Sequence, residues 1–190
     1  MMQHASLADA ALLAIGRTIV KFQRLEHYLK RASMLRPLEG TLMKFQDEMQ
    51  KRRARSATLT LGGAIQAWLS AADGKLTENG LTNDLFDVTM QVAFSFFPDA
   101  ESLNAHGAAL KSLLETRNSM VHDRFVNVQW DSPEECQRLI AKLDAVNQDI
   151  DRQLNFLTSI LGAVKTLGAI RTEDLELLLA EPTSQTATEP

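Results

Sequence analysis

Apolar residues along this chain recur at spacings of three and four, a period that predicts helices. Leu12, Ile15, Ile19, Phe22, Leu25 and Leu29 form one such stripe, the pattern of an amphipathic helix. It is expected to run from about Ser6 to about Leu35, because Pro37 disfavours helical geometry at Arg36. Leu38, Leu42, Phe45 and Met49 predict a second helix over about 38–54. A third starts near Thr60, carries Ile65, Trp68 and Leu69, and stops at Asp73-Gly74, although Gly62-Gly63 weakens its start. Leu85, Val88, Val92 and Phe96 align on a helix from Asp84 to Phe97.

Beyond Pro98-Asp99 another helix is predicted from about Ala100 into the 120s. Asp131-Ser132-Pro133-Glu134 reads as a helix start, with a capping side chain and a proline suited to the first turn. Leu139, Leu143, Val146, Ile150, Leu154, Leu157 and Leu161 continue its stripe. A separate short helix is expected around Thr172–Leu179. No stretch shows sustained period-two alternation bounded by hairpin turns; Phe125–Trp130 alternates only briefly and is read as a connector, with a short strand as the alternative. These elements predict an all-α, up-and-down bundle of five to seven helices, in one domain over residues 1–180 with a disordered, Thr/Ser/Pro/Glu-rich tail at 181–190.

Composition narrows the class. With 190 residues, 45% of them hydrophobic and 23% charged, the chain has enough apolar content for a core. The lone Cys136 excludes intramolecular disulfides and cysteine-based zinc sites. No apolar run reaches membrane-spanning length and the N-terminus lacks a signal pattern, so a cytoplasmic protein without a membrane partner is expected. Charge is unevenly spread: residues 1–55 hold 11 Lys+Arg against 5 Asp+Glu, although the whole chain carries −4. Lys51, Arg52, Arg53 and Arg55 are a candidate phosphate-binding surface. The plainer alternative is a solvated helix C-terminus, where cations favour the dipole.

The candidate chemistry lies in Leu113–Phe125. On a helix of about 100° per residue with Leu110 at zero, Arg117 falls near −20°, inside the apolar stripe, with Leu114 near 40° and Val121 near 20°. Asn118 and His122 are one turn apart on its flank. A guanidinium stays charged, and burying it unpaired is costly. Arg117 therefore requires a carboxylate from another helix, a subunit interface or a bound anion. A structural ion pair for Arg117 and a boundary position for His122 are the ordinary alternatives. Elsewhere, His4 is read as lying in a frayed terminus and His106 as a helix-surface residue; Glu26 reads first as a surface or ion-pair residue, and His27 beside it is left open. Trp68, Trp130 and the phenylalanines are assigned to core and interface.

The segment Leu114-Glu115-Thr116-Arg117-Asn118-Ser119-Met120-Val121-His122 resembles the Arg-x4–6-His signature of the HEPN superfamily, in the form with a polar residue directly after the arginine. The early pattern Phe22-x-x-Leu25-Glu26-x-x-Leu29 is also frequent in that superfamily. The resemblance is specific over about a dozen residues and architectural over the rest. It implies an all-α domain and a metal-independent endoribonuclease of toxin–antitoxin, abortive-infection or phage-defence type. It also implies no cofactor, a homodimer with two motifs facing across a cleft, RNA as substrate, and an antitoxin or defence-system protein as partner. Some toxin members carry a tyrosine two residues after the histidine; here Arg124 stands there, which puts in doubt pairing with a nucleotidyltransferase antitoxin and adds a candidate phosphate contact.

RNA carries its own nucleophile, the 2′-hydroxyl, so cleavage needs a proton carrier and positive charge near phosphorus. His122 suits the first role and Arg117 the second; Asn118 would orient His122 or donate to a phosphate oxygen. The alternatives are a non-catalytic helical module binding RNA or protein, and a helical DNA-binding regulator using the Lys51–Arg55 run. The acidic chain and the lack of a helix-turn-helix pattern at 56–73 weigh against the last.

Overall fold

In a computed structural model, which describes residues 6–40, 42–74, 90–124 and 128–179, the chain is built mainly of helices. Helix α1 spans Leu7–Ala32 and ends in a 3₁₀ turn at Ser33–Leu35. Strand β1 (Leu38–Gly40), α2 (Leu42–Ala57), α3 (Leu61–Ala72) and β2 (Met90–Val92) follow. Helix α4 (Ala100–Ser119) continues into a π-helical turn at Met120–Arg124, and α5 runs from Pro133 to Leu179. Among the described residues there are thus five α-helices and one two-stranded antiparallel ribbon, with Leu38 opposite Val92, Glu39 opposite Gln91 and Gly40 opposite Met90.

Local chemistry fixes the helix ends. A reciprocal capping box starts α1: Asp9 N donates to Ser6 Oγ and Ser6 N donates to Asp9 Oδ2, each at 3.1 Å. Asp99 caps α4 by accepting from Ser102 N at 2.7 Å, and that bond holds its carboxyl below the usual range. Gly74, at φ +61°, adopts the left-handed geometry that ends α3.

The core sits where α1, α3, α4 and α5 meet, with α1 and α5 forming the most extensive helix pair. Trp68, Leu25, Leu29, Ile65, Leu110, Leu143, Ile150 and Leu157 are fully buried. Each such aliphatic side chain contributes about 1.5–3 kcal/mol by leaving water. Helices α3 and α4 approach closely at Gly107, where a Cβ would lie 3.3 Å from Leu69 Cδ1.

Several sequence expectations are corrected. Residues 38–40 pair as a strand, so α2 begins later and ends later than about 38–54, and Met49 is 39% exposed. Residues 90–97 are not helical. Met90, Val92, Phe94 and Phe96 alternate with Gln91, Ala93 and Ser95, and a spacing of four satisfies both the helical and the strand period. The part of that predicted helix at 84–89 lies outside the described residues. The segment 172–179 is the end of α5, since no proline stands between Pro133 and Leu179 to stop the helix. The tail 181–190 lies outside the described residues.

On α1 the buried side is set by Ala11, Ala14, Thr18, Phe22, Leu25, Leu29 and Ala32; Leu12 and Ile19 face solvent at 53% and 41%. Small residues let α1 lie close to its neighbours, and the core side rotates towards them.

His106 is not a surface residue. Its Nε2 accepts a 2.9 Å hydrogen bond from Trp68 Nε1, and its ring lies 5.1 Å from that of Phe97 and 4.8 Å from that of Phe156. Burial lowers its pKa from 6.5 to about 4. The sequence assigned Trp68 to the core, where it is fully buried.

Candidate functional site

The candidate site forms where α4 passes into the π turn. Leu110, Leu113 and Met120 face the core and are buried, Leu114 packs against it, and Arg117 lies between Leu114 and Met120 on the same stripe. Arg117 is half-buried, as its place among apolar positions requires. Among the described residues no carboxylate lies within ion-pair distance of its guanidinium, and its hydrogen bond runs from Nη1 to Asn118 Oδ1 at 3.2 Å. A guanidinium carries five N–H donors, so most of them are left without a protein acceptor among the described residues.

That guanidinium lines a pocket of about 120 Å³. Ile19, Phe22, Gln23 and Glu26 of α1, Leu61 of α3, and Met120 and Val121 of the π turn line it as well. Glu26 does not neutralise Arg117: its Oε1 is held by Lys30 Nζ at 2.8 Å, one turn along α1. Val121 is 50% exposed rather than packed in the stripe, although it lines the pocket.

His122 follows Val121 and is exposed. In an α-helix, residues five apart differ by about 140° around the axis. A π turn, with i→i+5 bonding, spreads more residues over each turn and narrows that angle. His122 lies within the π turn at Met120–Arg124 and is not among the residues that line the Arg117 pocket. Helical periodicity alone paired His122 with Asn118; the observed side-chain bond of Asn118 is to Arg117 instead.

The basic run behaves unevenly. Lys51, Arg53 and Arg55 are exposed near the C-terminal end of α2. Arg52 is turned inward with a side chain only 11% exposed. Its Nη1 donates to Arg36 O at 2.6 Å, its Nη2 to Pro37 O at 2.8 Å, and its Nε to Glu48 Oε1 at 3.1 Å. The bond from Arg52 holds the Glu48 carboxyl below its ordinary range. Arg52 thus fastens the turn between α1 and β1, which corrects its assignment to a phosphate-binding surface: its donors are taken up by two backbone carbonyls and the Glu48 carboxylate. None of the run lines the Arg117 pocket. Arg124 closes the π turn, and its side chain lies outside the described residues.

Among the described residues, no group of three or more His, Cys, Asp or Glu side chains could hold a metal ion, and no helix is long and apolar enough to cross a membrane. No family model, no curated protein and no solved structure matches this chain. The reading of the site therefore rests on its own residues. Sequence periodicity finds Arg117 but not Gln23; Glu26, read as a surface or ion-pair residue, forms an ion pair with Lys30 and also lines the pocket.

Proposed function

We propose that this chain is a HEPN-like, metal-independent endoribonuclease of toxin or phage-defence type, acting at the Arg117 pocket. The observation that carries the reading is a half-buried guanidinium in an apolar stripe with no carboxylate partner among the described residues. A charge so placed is costly unless something anionic meets it, and a phosphodiester is a matching anion with bidentate geometry.

In this reading the RNA 2′-hydroxyl attacks the adjacent phosphorus and the 5′-oxygen leaves, giving a 2′,3′-cyclic phosphate and a 5′-hydroxyl end. His122, exposed beside the pocket wall at Val121, accepts the hydroxyl proton or supplies one to the leaving oxygen. Arg117 stabilises charge on the non-bridging oxygens. Asn118 holds the guanidinium through its Oδ1, leaving its amide nitrogen to donate to phosphate. A second copy of the chain completes the site. The exposed apolar residues Leu12, Ile19 and Val121 supply its contact surface, and two of them line the pocket.

The test is cleavage of an end-labelled RNA with the product termini identified. Wild-type protein should cut in the presence of chelator and leave cyclic-phosphate ends. His122→Ala should lose at least 100-fold in rate, on the order expected for a general acid or base, and Asn118→Ala less. An active His122→Ala protein, or activity restored only by magnesium, refutes the mechanism. Absence of cleavage across several RNAs, with binding retained, favours a non-catalytic RNA-binding module.

A further inference from the structure

A second groove, of about 670 Å³, runs between the C-terminal half of α1 and the C-terminal half of α2. His27, Lys30 and Arg31 line it from α1 and Arg53 faces them from α2, with Met34 and Met49 alongside. Among the described residues none of its lining is acidic. Arg31 and Arg53 are exposed, and among the described residues neither has a carboxylate partner. An anion in the groove would therefore meet positive charge from both walls. Sequence reading noticed only the run on α2; the α1 half of the groove is separated from it by about twenty residues and is brought opposite by the fold.

The groove also continues the candidate site. Gln23 and Glu26 line the Arg117 pocket, and His27 and Lys30 line the groove, so one face of α1 passes from the first to the second at i, i+3, i+4 and i+7. From Gln23 to Arg31 this face is about 12 Å long, enough for a few nucleotides of extended strand. Met49, 39% exposed, offers an apolar surface beside the cations, which suits unpaired bases and gives nothing to a duplex whose bases are stacked inside.

We infer that the α1–α2 groove binds the phosphate backbone of single-stranded RNA leading away from the cleavage pocket, with Arg31 and Arg53 as the principal contacts. The inference rests on the nuclease reading for its substrate, but it makes a separate statement about where affinity resides.

The experiment measures binding of a fluorescent 12-nucleotide 2′-O-methyl RNA, which lacks the attacking hydroxyl, by anisotropy between 50 and 300 mM salt, alongside cleavage of the unmodified RNA. Wild type is compared with Arg31→Gln/Arg53→Gln and with Arg138→Gln/Lys165→Gln, a control that removes equal charge from α5. The groove variant should bind about tenfold more weakly at low salt, with a salt slope lower by about 1.4, two contacts at about 0.7 each for a single strand. The control should match wild type, and thermal unfolding should show all three folded. An unchanged slope in the groove variant, an equal loss in the control, a preference for duplex DNA, or no binding by wild type overturns the inference. The two readings separate cleanly: groove-dependent binding without cleavage supports the groove and refutes the nuclease. Cleavage with unaltered binding in the groove variant does the reverse.

Discussion

His106 places a titratable group inside the aromatic core, and replacing it with glutamine separates its charge from its hydrogen bond. An indole N–H only donates, so Nε2 must carry a lone pair and the proton of the neutral ring sits on Nδ1. Protonating the ring removes that acceptor and leaves Trp68 Nε1 unpaired. The rings of Trp68, Phe97 and Phe156 surround His106, and burial alone drives the pKa down from 6.5 to about 4. Between those values the unfolded chain takes up a proton that the folded chain refuses. Stability is therefore full above pH 6.5, falls as pH is lowered towards 4, and levels off below that. The full shift would correspond to about 3 kcal/mol; a half-buried ring keeps some solvent contact, which brings the expected loss to about 1–2 kcal/mol. His106→Gln retains an acceptor for Trp68 and does not titrate. Urea unfolding followed by tryptophan fluorescence at pH 5.0 to 8.0 should show wild type weakening on acidification by about 1 kcal/mol more than the variant. Glu48 and Asp99, whose carboxyls are held low, lose their contributions only at lower pH and leave this window clear. Parallel pH curves for the two proteins would refute the argument.

Two further outcomes follow from particular contacts. Arg52→Ala strips the acceptors at Arg36 O and Pro37 O of their partner and should cost about 2 kcal/mol in urea unfolding. Arg52→Lys should recover little, since an ammonium cannot bridge the two carbonyls as the fork does. The exposed apolar side of α1 predicts a dimer by sedimentation at micromolar concentration; Leu12→Glu/Ile19→Glu should yield a folded monomer with reduced cleavage. A monomeric wild type would remove the composite site.

The helices were legible because their apolar residues keep one period over many turns and their caps are local: Ser6, Asp99 and Pro133 each act within one turn. The ribbon was not, because Val92 and Phe96 fit a helix as well as a strand, and only the pairing with Leu38–Gly40 decides between them. Arg117 was visible as a charge at an apolar position. That no carboxylate among the described residues pairs with it was not, since Glu26 of the same pocket is held by Lys30. Arg52 and His106 misled for one reason. Their partners, the carbonyls at 36 and 37 and the indole of Trp68, are distant in sequence, so a polar residue type was read as a surface position. What composition locates poorly is the polar residue used inside.

Arg117 also supports a test that distinguishes a structural arginine from a functional one without measuring catalysis first. If its cation served the fold, some buried anion would depend on it, and removing it would cost about 3–5 kcal/mol. Among the described residues there is no such anion; its hydrogen bond is to Asn118, an exposed residue that loses little when solvent replaces the guanidinium. Arg117→Met keeps an unbranched chain on the stripe of Leu110, Leu113 and Met120 and removes the half-buried charge. The variant should therefore be at least as stable as wild type, by up to about 1 kcal/mol in urea unfolding, while losing RNA cleavage. A protein destabilised by 3 kcal/mol or more would place a structural partner beside Arg117 and overturn the assignment of that charge to substrate. Gain of stability with loss of activity is the outcome expected when a protein holds a cation at an apolar position for its ligand.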